Sequence, residues 1–173
     1  AGLDPGETPH GRNARIAERC GVPVVSAVSG MLDWLDALGA RRIALAATYY
    51  DEDWCARWRA FVEEQGYTVT TCASMADLGL VAAPLQAADE THWAPTAPQI
   101  EETVAGVVAP GPADAVVVTG AGARTLAHHE RLCATARSPV VAADLGLYRA
   151  VIDAMGIDVA GDDATRLRAG AAP

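Results

Sequence analysis

Residues 115–122 read Ala-Val-Val-Val-Thr-Gly-Ala-Gly, and no other stretch of the chain limits its possible folds as tightly. Val116, Val117 and Val118 are consecutive β-branched residues with no polar residue between them, so a strand here has no face to give to water. Strands covered on both faces belong to parallel sheets flanked by helices. Gly120 and Gly122 follow at once, and glycine lets a chain turn sharply out of a strand and into a helix. From this βα unit outward the chain reads as an α/β protein.

The rest of the sequence repeats that alternation. Strands are predicted at Pro23–Ala27, Arg42–Ala47, Tyr67–Cys72, Ala115–Thr119 and Pro139–Ala143. Ser29 is placed to open a helix carrying Met31, Leu32, Leu35 and Leu38, which Gly39 closes. Asp51 is placed to cap a second, with Trp54, Trp58, Phe61 and Val62 on one face and Gly66 at its end. Thr96 caps a third, with Ile100, Val104 and Val107 on one face. The segment from Ala73 to Pro98 is the least regular, and a loop of that length over an α/β sheet is expected to serve as a lid or substrate-facing segment.

An internal repeat divides the chain. With Arg15-Ile16 set against Arg131-Leu132, Pro23-Val24-Val25-Ser26-Ala27 falls without gaps on Pro139-Val140-Val141-Ala142-Ala143. Gly30-Met31 then meets Gly146-Leu147, and after a one-residue slip Ala37-Leu38-Gly39 meets Ala154-Met155-Gly156. Two αβα stretches always share small and apolar residues, yet the ungapped agreement favours duplication. In the second copy a strand and glycine turn precede the helix around Arg131. The matching strand of the first copy falls at or before residue 1, so the first half is expected to be N-terminally truncated.

Composition excludes several classes of partner. The net charge is −9, and no basic stripe exists to neutralise phosphates, so neither nucleic acid nor a membrane surface is expected. Backbone N–H groups at helix starts still bind small anions without any basic side chain. The four cysteines, Cys20, Cys55, Cys72 and Cys133, form no C-x-x-C pair, and no signal peptide is seen, so they read as reduced, buried, small hydrophobes in a cytoplasmic protein. His128-His129-Glu130 sits on a helix where adjacent histidines diverge, and His10 and His92 have no ligand at useful spacing. No metal is expected. Gly120 and Gly122 supply the start of a dinucleotide fingerprint, and Asp144 stands where a ribose-binding acid would. However, Thr125 holds the third glycine position and too few strands follow, so a dinucleotide-binding domain is the remote alternative.

The run Gly21-Val22-Pro23 to Ala37-Leu38-Gly39, then Arg41 to Glu52 with Tyr49-Tyr50, resembles the middle of arylmalonate decarboxylases and maleate isomerases, within the aspartate/glutamate racemase superfamily. Ala115 to Thr125 and Pro139-Val140-Val141 are similar to the same branch, and the likeness runs from Asn13 to Ile157. It implies two similar Rossmann-like α/β halves with mainly parallel sheets, related by a pseudo-two-fold axis, and an active site between them. On that pattern residues 1–40 are a remnant of the first half and 41–140 the second half. Residues 141–160 form a strand and helix at the junction, and 161–173 a disordered tail. The resemblance implies chemistry without cofactors on a small dicarboxylate of maleate or malonate type, and assembly into a homo-oligomer is compatible with it.

The resemblance also assigns roles. Tyr49 helps hold a substrate carboxylate through its hydroxyl, although a Tyr packed on the core fits that position equally well. Thr119, Ala121 and Gly122 match positions that bind the carboxylate, chiefly through backbone N–H groups. Ser29 sits at the corresponding helix start of the first half. The catalytic cysteine of the second half falls on Gly120, which has no group to give or take a proton, so turnover is expected to rest on a group from the first half, a cysteine encoded upstream of residue 1. Cysteine at 120 is expected to restore the missing acid/base. The competing reading is a catalytically degenerate protein that binds small carboxylates.

Overall fold

The computed structural model describes residues 7–82 and 95–159. The regular elements are α1 (Pro9–Cys20), α2 (Ala27–Ala37), β1 (Arg42–Ala46), α3 (Glu52–Glu64), β2 (Thr68–Ala73), α4 (Ala97–Val108), β3 (Ala115–Val118), α5 (His129–Ala136), β4 (Val140–Ala142) and α6 (Ala143–Met155). The four strands form one parallel sheet in the order β2-β1-β3-β4. All of β3 is buried, as expected of an unalternated valine run with helices on both sides. Ile43 to Ala46 of β1 and Val140 to Ala142 of β4 are equally enclosed. Burying each Val, Ile or Leu contributes on the order of 1.5–3 kcal/mol. The sheet centre therefore anchors whatever stands at its edges.

Four of the five expected strands are present within a residue or two at their ends. Pro23–Ala27 is not a strand: residues 23–26 are irregular chain leading into α2. Its repeat counterpart, β4, has β3 to pair with, whereas residues 23–26 have no neighbouring strand among the described residues. A β-branched run without a partner makes no ladder. The cap of α2 is Ser26, not Ser29. The Ser26 hydroxyl accepts from the Ser29 N–H at 3.2 Å, and Ser29 returns the bond as the third residue of a capping box. The Asn13 amide donates to both hydroxyls, which ties α1 to that helix start. Asp51 and Thr96 cap α3 and α4 as the sequence predicts. Residues 83–94 of the candidate lid fall outside the described residues, and the C-terminal tail wholly so.

The repeat has a direct structural consequence. Its equivalent glycines, Gly30 on α2 and Gly146 on α6, lie face to face where the two helices cross. A β-carbon added at Gly30 would overlap the Gly146 carbonyl oxygen, and one at Gly146 would come within 2.9 Å of the Met31 nitrogen. Equivalent elements that touch through equivalent residues are what a two-fold relation produces. The small pair lets the backbones approach, and Met31, Trp34 and Leu35 of α2 and Leu145 of α6 are buried alongside. Trp34 is enclosed between the His129 ring, 5.7 Å away, and the Arg149 guanidinium, 4.6 Å above its own ring.

Candidate functional site

The strand order determines where a ligand has access to the sheet. From β1 the chain steps outward on one side to β2, and on the other to β3 and β4. Adjacent loops diverge at such a reversal and leave a crevice outside the carboxyl ends of the strands, here those of β1 and β3. Tyr49 follows β1, and Thr119–Gly122 follow β3. The fold therefore brings the sequence-predicted residues to one place.

Hydrogen bonds fix the two strand ends to one another. The Thr119 N–H donates to the Ala46 carbonyl at 3.0 Å, and the Thr48 hydroxyl donates to the Thr119 carbonyl at 2.8 Å. The Thr48 carbonyl accepts from the Met75 N–H at 2.8 Å, and the Tyr50 N–H bonds to the Ala47 carbonyl. Thr48 is fully buried at φ +45°, a left-handed conformation that a β-branched residue adopts only when its surroundings enforce it. Sequence reading missed Thr48, since a strained dihedral leaves no compositional trace.

Strain continues at Gly120, where φ is +90°. A β-carbon built there would lie 2.5 Å from the Tyr49 hydroxyl oxygen and 2.6 and 2.7 Å from Cζ and Cε1. The edge of the Tyr49 phenol thus occupies the space of a side chain at 120. A cysteine introduced there does not simply restore an acid/base, because the ring must first move and the backbone relax. Tyr49 is 5% exposed, so the crevice is filled at this point.

Beyond Gly120 the chain does not enter a helix directly. Residues Ala121–Ala123 form a single 3-10 turn, Arg124 is left-handed at φ +52°, Leu126–His128 make a second 3-10 turn, and α5 starts only at His129. The expected long-helix dipole is therefore absent from the turn, and any anion held there depends on local N–H groups. Gly122 is partly exposed and Arg124 exposed. Asp144, the candidate ribose acid, is 2% exposed and accepts from the Thr125 N–H at 2.6 Å and the Thr125 hydroxyl at 2.7 Å. Its oxygens brace the loop from within, away from any nucleotide.

The phenols continue into an aromatic ladder. The Tyr49 and Tyr50 rings are 4.6 Å apart, Tyr50 stacks on Trp54 at 3.5 Å, and Trp54, Trp58 and Phe61 follow along α3. Burial, together with a hydrogen bond to Tyr49, pushes the Tyr50 phenol well above its ordinary range. The ladder ends in a groove of about 550 Å³ lined by Ile16, Val24, Val25, Trp54, Trp58 and Phe61. The groove includes neither Tyr49 nor the glycine turn.

The cysteines stand apart from the turn. Cys55 is buried with its thiol on Cys72, a contact that pushes Cys55 up and Cys72 down. Burial raises the Cys133 thiol, and its neighbour His129 has Nε2 2.7 Å from the Val140 carbonyl, so that nitrogen carries a proton and is no base for the thiol. Cys20 corrects the sequence reading: it is exposed, because it is the last residue of α1 and no other element among the described residues covers it.

Comparison with known proteins adds to this geometry. A sequence model of arylmalonate decarboxylase matches residues 10–168. Among solved structures, an arylmalonate decarboxylase aligns with a TM-score of 0.69 and 24% identity over 88% of this chain and 64% of its own. A liganded double mutant of arylmalonate decarboxylase aligns at 0.70 and 26%, over 90% and 63%. A Nocardia farcinica maleate cis-trans isomerase mutant with a covalently bound succinylcysteine intermediate aligns at 0.64 and 21%, over 92% and 63%. The chain thus spans slightly under two thirds of the length of these structures. A search among curated proteins gave no match. With the family sequence pattern running through nearly all of its residues, this chain belongs to the arylmalonate decarboxylase family.

Proposed function

We propose that this protein is a cofactor-independent decarboxylase or isomerase acting on a small dicarboxylate of malonate or maleate type. One carboxylate is held at the turn Thr119-Gly120-Ala121-Gly122, chiefly by the backbone N–H groups that follow Thr119, whose own N–H is given to Ala46, and the Tyr49 hydroxyl approaches from the facing strand end. The observation that carries this reading is the convergence of Tyr49 and Gly120 at the strand-order reversal, within a chain of this family. One of the similar structures is a Pseudomonas putida S16 maleate isomerase with maleate. The proposed setting is the cytoplasm. No helix among the described residues is long and apolar enough to cross a membrane.

A second reading is favoured by the same glycine. With no side chain at 120 and Tyr49 in its place, the turn suits a protein that binds carboxylates without turning them over. Calorimetry with phenylmalonate and maleate, followed by assay for CO₂ and fumarate, separates the two. Binding with turnover supports the enzyme, binding alone supports the degenerate form, and no binding of either compound refutes both.

A further inference from the structure

We infer that the Tyr49 hydroxyl is the proton-transferring group at the glycine turn, standing where a side chain at 120 would present its own. The inference rests on the reading of the turn as a carboxylate site and names the residue that acts there. Its basis is the coincidence in space of the Tyr49 hydroxyl and the β-carbon position of Gly120, 2.5 Å apart.

Elimination among the described residues supports the assignment. A group that serves the reacting carbon must carry a mobile proton and reach the turn. The Thr48 hydroxyl is committed to the Thr119 carbonyl, and the Thr119 hydroxyl faces the Ala46 carbonyl at 3.4 Å. Asp144 is committed to Thr125, and Arg124 is exposed. The cysteines lie on α1, α3, β2 and α5. Tyr49 is held in register by its neighbours' backbone bonds to Ala73 and Met75 and by the Thr48 hydroxyl on Thr119, so its hydroxyl is aimed rather than free to search.

Tyr50 gives the second element of the device. Its half-buried phenol, with its ring 4.6 Å from that of Tyr49, shares a hydrogen bond with Tyr49 that fixes where the Tyr49 oxygen sits. With a malonate dianion the bond between the α-carbon and one carboxylate breaks, CO₂ leaves, and the electron pair stays on the carbon as an enediolate. The Tyr49 O–H bond then breaks and a C–H bond forms. Water returns a proton to Tyr49, so each turnover converts one malonate and one proton into a monocarboxylate and CO₂.

The test uses the full chain with phenylmalonate in D₂O, following binding by calorimetry, CO₂ release, and deuterium at the α-carbon of the product. Wild type is expected to bind, turn over and place solvent deuterium in the product. Tyr49→Phe keeps the ring and removes the proton, so kcat should fall by about 10²–10⁴-fold while KM changes little. Tyr50→Phe should lower kcat by a smaller factor. Tyr49→Ala with Gly120→Cys clears the ring and supplies a thiol, and should recover at least about tenfold over Tyr49→Ala alone, a tenfold gain being about 1.4 kcal/mol of barrier. An unchanged kcat in Tyr49→Phe overturns the inference, and so does a change confined to KM. Binding by wild type without CO₂ release or deuterium exchange overturns it as well, while leaving the carboxylate site standing. Absence of binding refutes the underlying reading, and the inference with it.

Discussion

Replacing Gly30 with alanine places one methyl group where α2 and α6 cross. Built on the existing backbone, that carbon overlaps the Gly146 carbonyl oxygen, sits 2.6 Å from the carbonyl carbon and lies 3.2 Å from the Ala150 β-carbon. Carbon atoms pack comfortably at about 3.5–4.0 Å, so the helices must part by roughly 1 Å. The obstruction is backbone, and no rotamer change relieves it. Overpacking of this kind costs about 1–3 kcal/mol, and a rigid backbone clash belongs at the upper end. The better helix propensity of alanine returns about 1 kcal/mol, which leaves a net loss of about 2 kcal/mol. For a chain of this size that corresponds to a fall in Tm of about 4–8 °C. Urea unfolding should show a lower midpoint with an unchanged slope. Two other glycines calibrate the effect. Gly11→Ala, whose β-carbon would meet only Thr8 Oγ1 at 3.2 Å on the exposed side of α1, should be neutral or stabilising. Gly106→Ala, which meets the movable end of Leu78 at 2.6 Å, should cost less than Gly30→Ala. A Gly30→Ala protein as stable as the Gly11→Ala protein would refute the close crossing and the two-fold relation built on it.

Asp144→Ala should cost about 1–3 kcal/mol, because it leaves the buried Thr125 N–H without an acceptor, and amide hydrogen exchange should accelerate around residue 125. The Arg41 and Arg42 N–H groups, which both donate to the Asp114 carboxylate, hold it below the usual carboxylate range. Its stabilising contribution is therefore complete above about pH 4 and is lost as pH falls through the lowered folded value, so Asp114→Asn should flatten the acid limb of a stability profile. Its exposure makes the effect small. Cys20, exposed at the end of α1, should react with a thiol reagent in the native protein well before Cys55, and Cys20→Ser should abolish the fast phase.

The legible parts of this protein were those set by local chemistry. An unalternated valine run required a buried parallel strand, and Asp51 and Thr96 marked their helix starts three residues ahead of a satisfied N–H or a reciprocal glutamine. The repeat placed Gly30 opposite Gly146 in sequence, though their contact became visible only when both helices were in place. Residues 23–26 read as a strand because composition records side-chain preference and cannot record whether a neighbour exists. The helix expected directly after the glycine turn starts later in the structure, since two 3-10 turns and a left-handed Arg124 come before α5. At the site, sequence brought Tyr49 and Gly120 to the same crevice. It gave no sign that the phenol fills the space beside the glycine, or that Thr48 is strained to hold it there. Those facts depend on bonds between residues 71 apart in the chain.

The central claim is that a small dicarboxylate binds at the glycine turn beneath Tyr49. Titration of uniformly ¹⁵N-labelled protein with phenylmalonate, read as amide shifts, tests it directly. The account predicts saturable shifts concentrated at Thr119, Gly120, Ala121 and Gly122 and at Thr48 to Tyr50, retained in the Tyr49→Phe protein. Saturable shifts confined to Ile16, Val24, Val25 and the aromatic face of α3, with the turn unmoved, would contradict it.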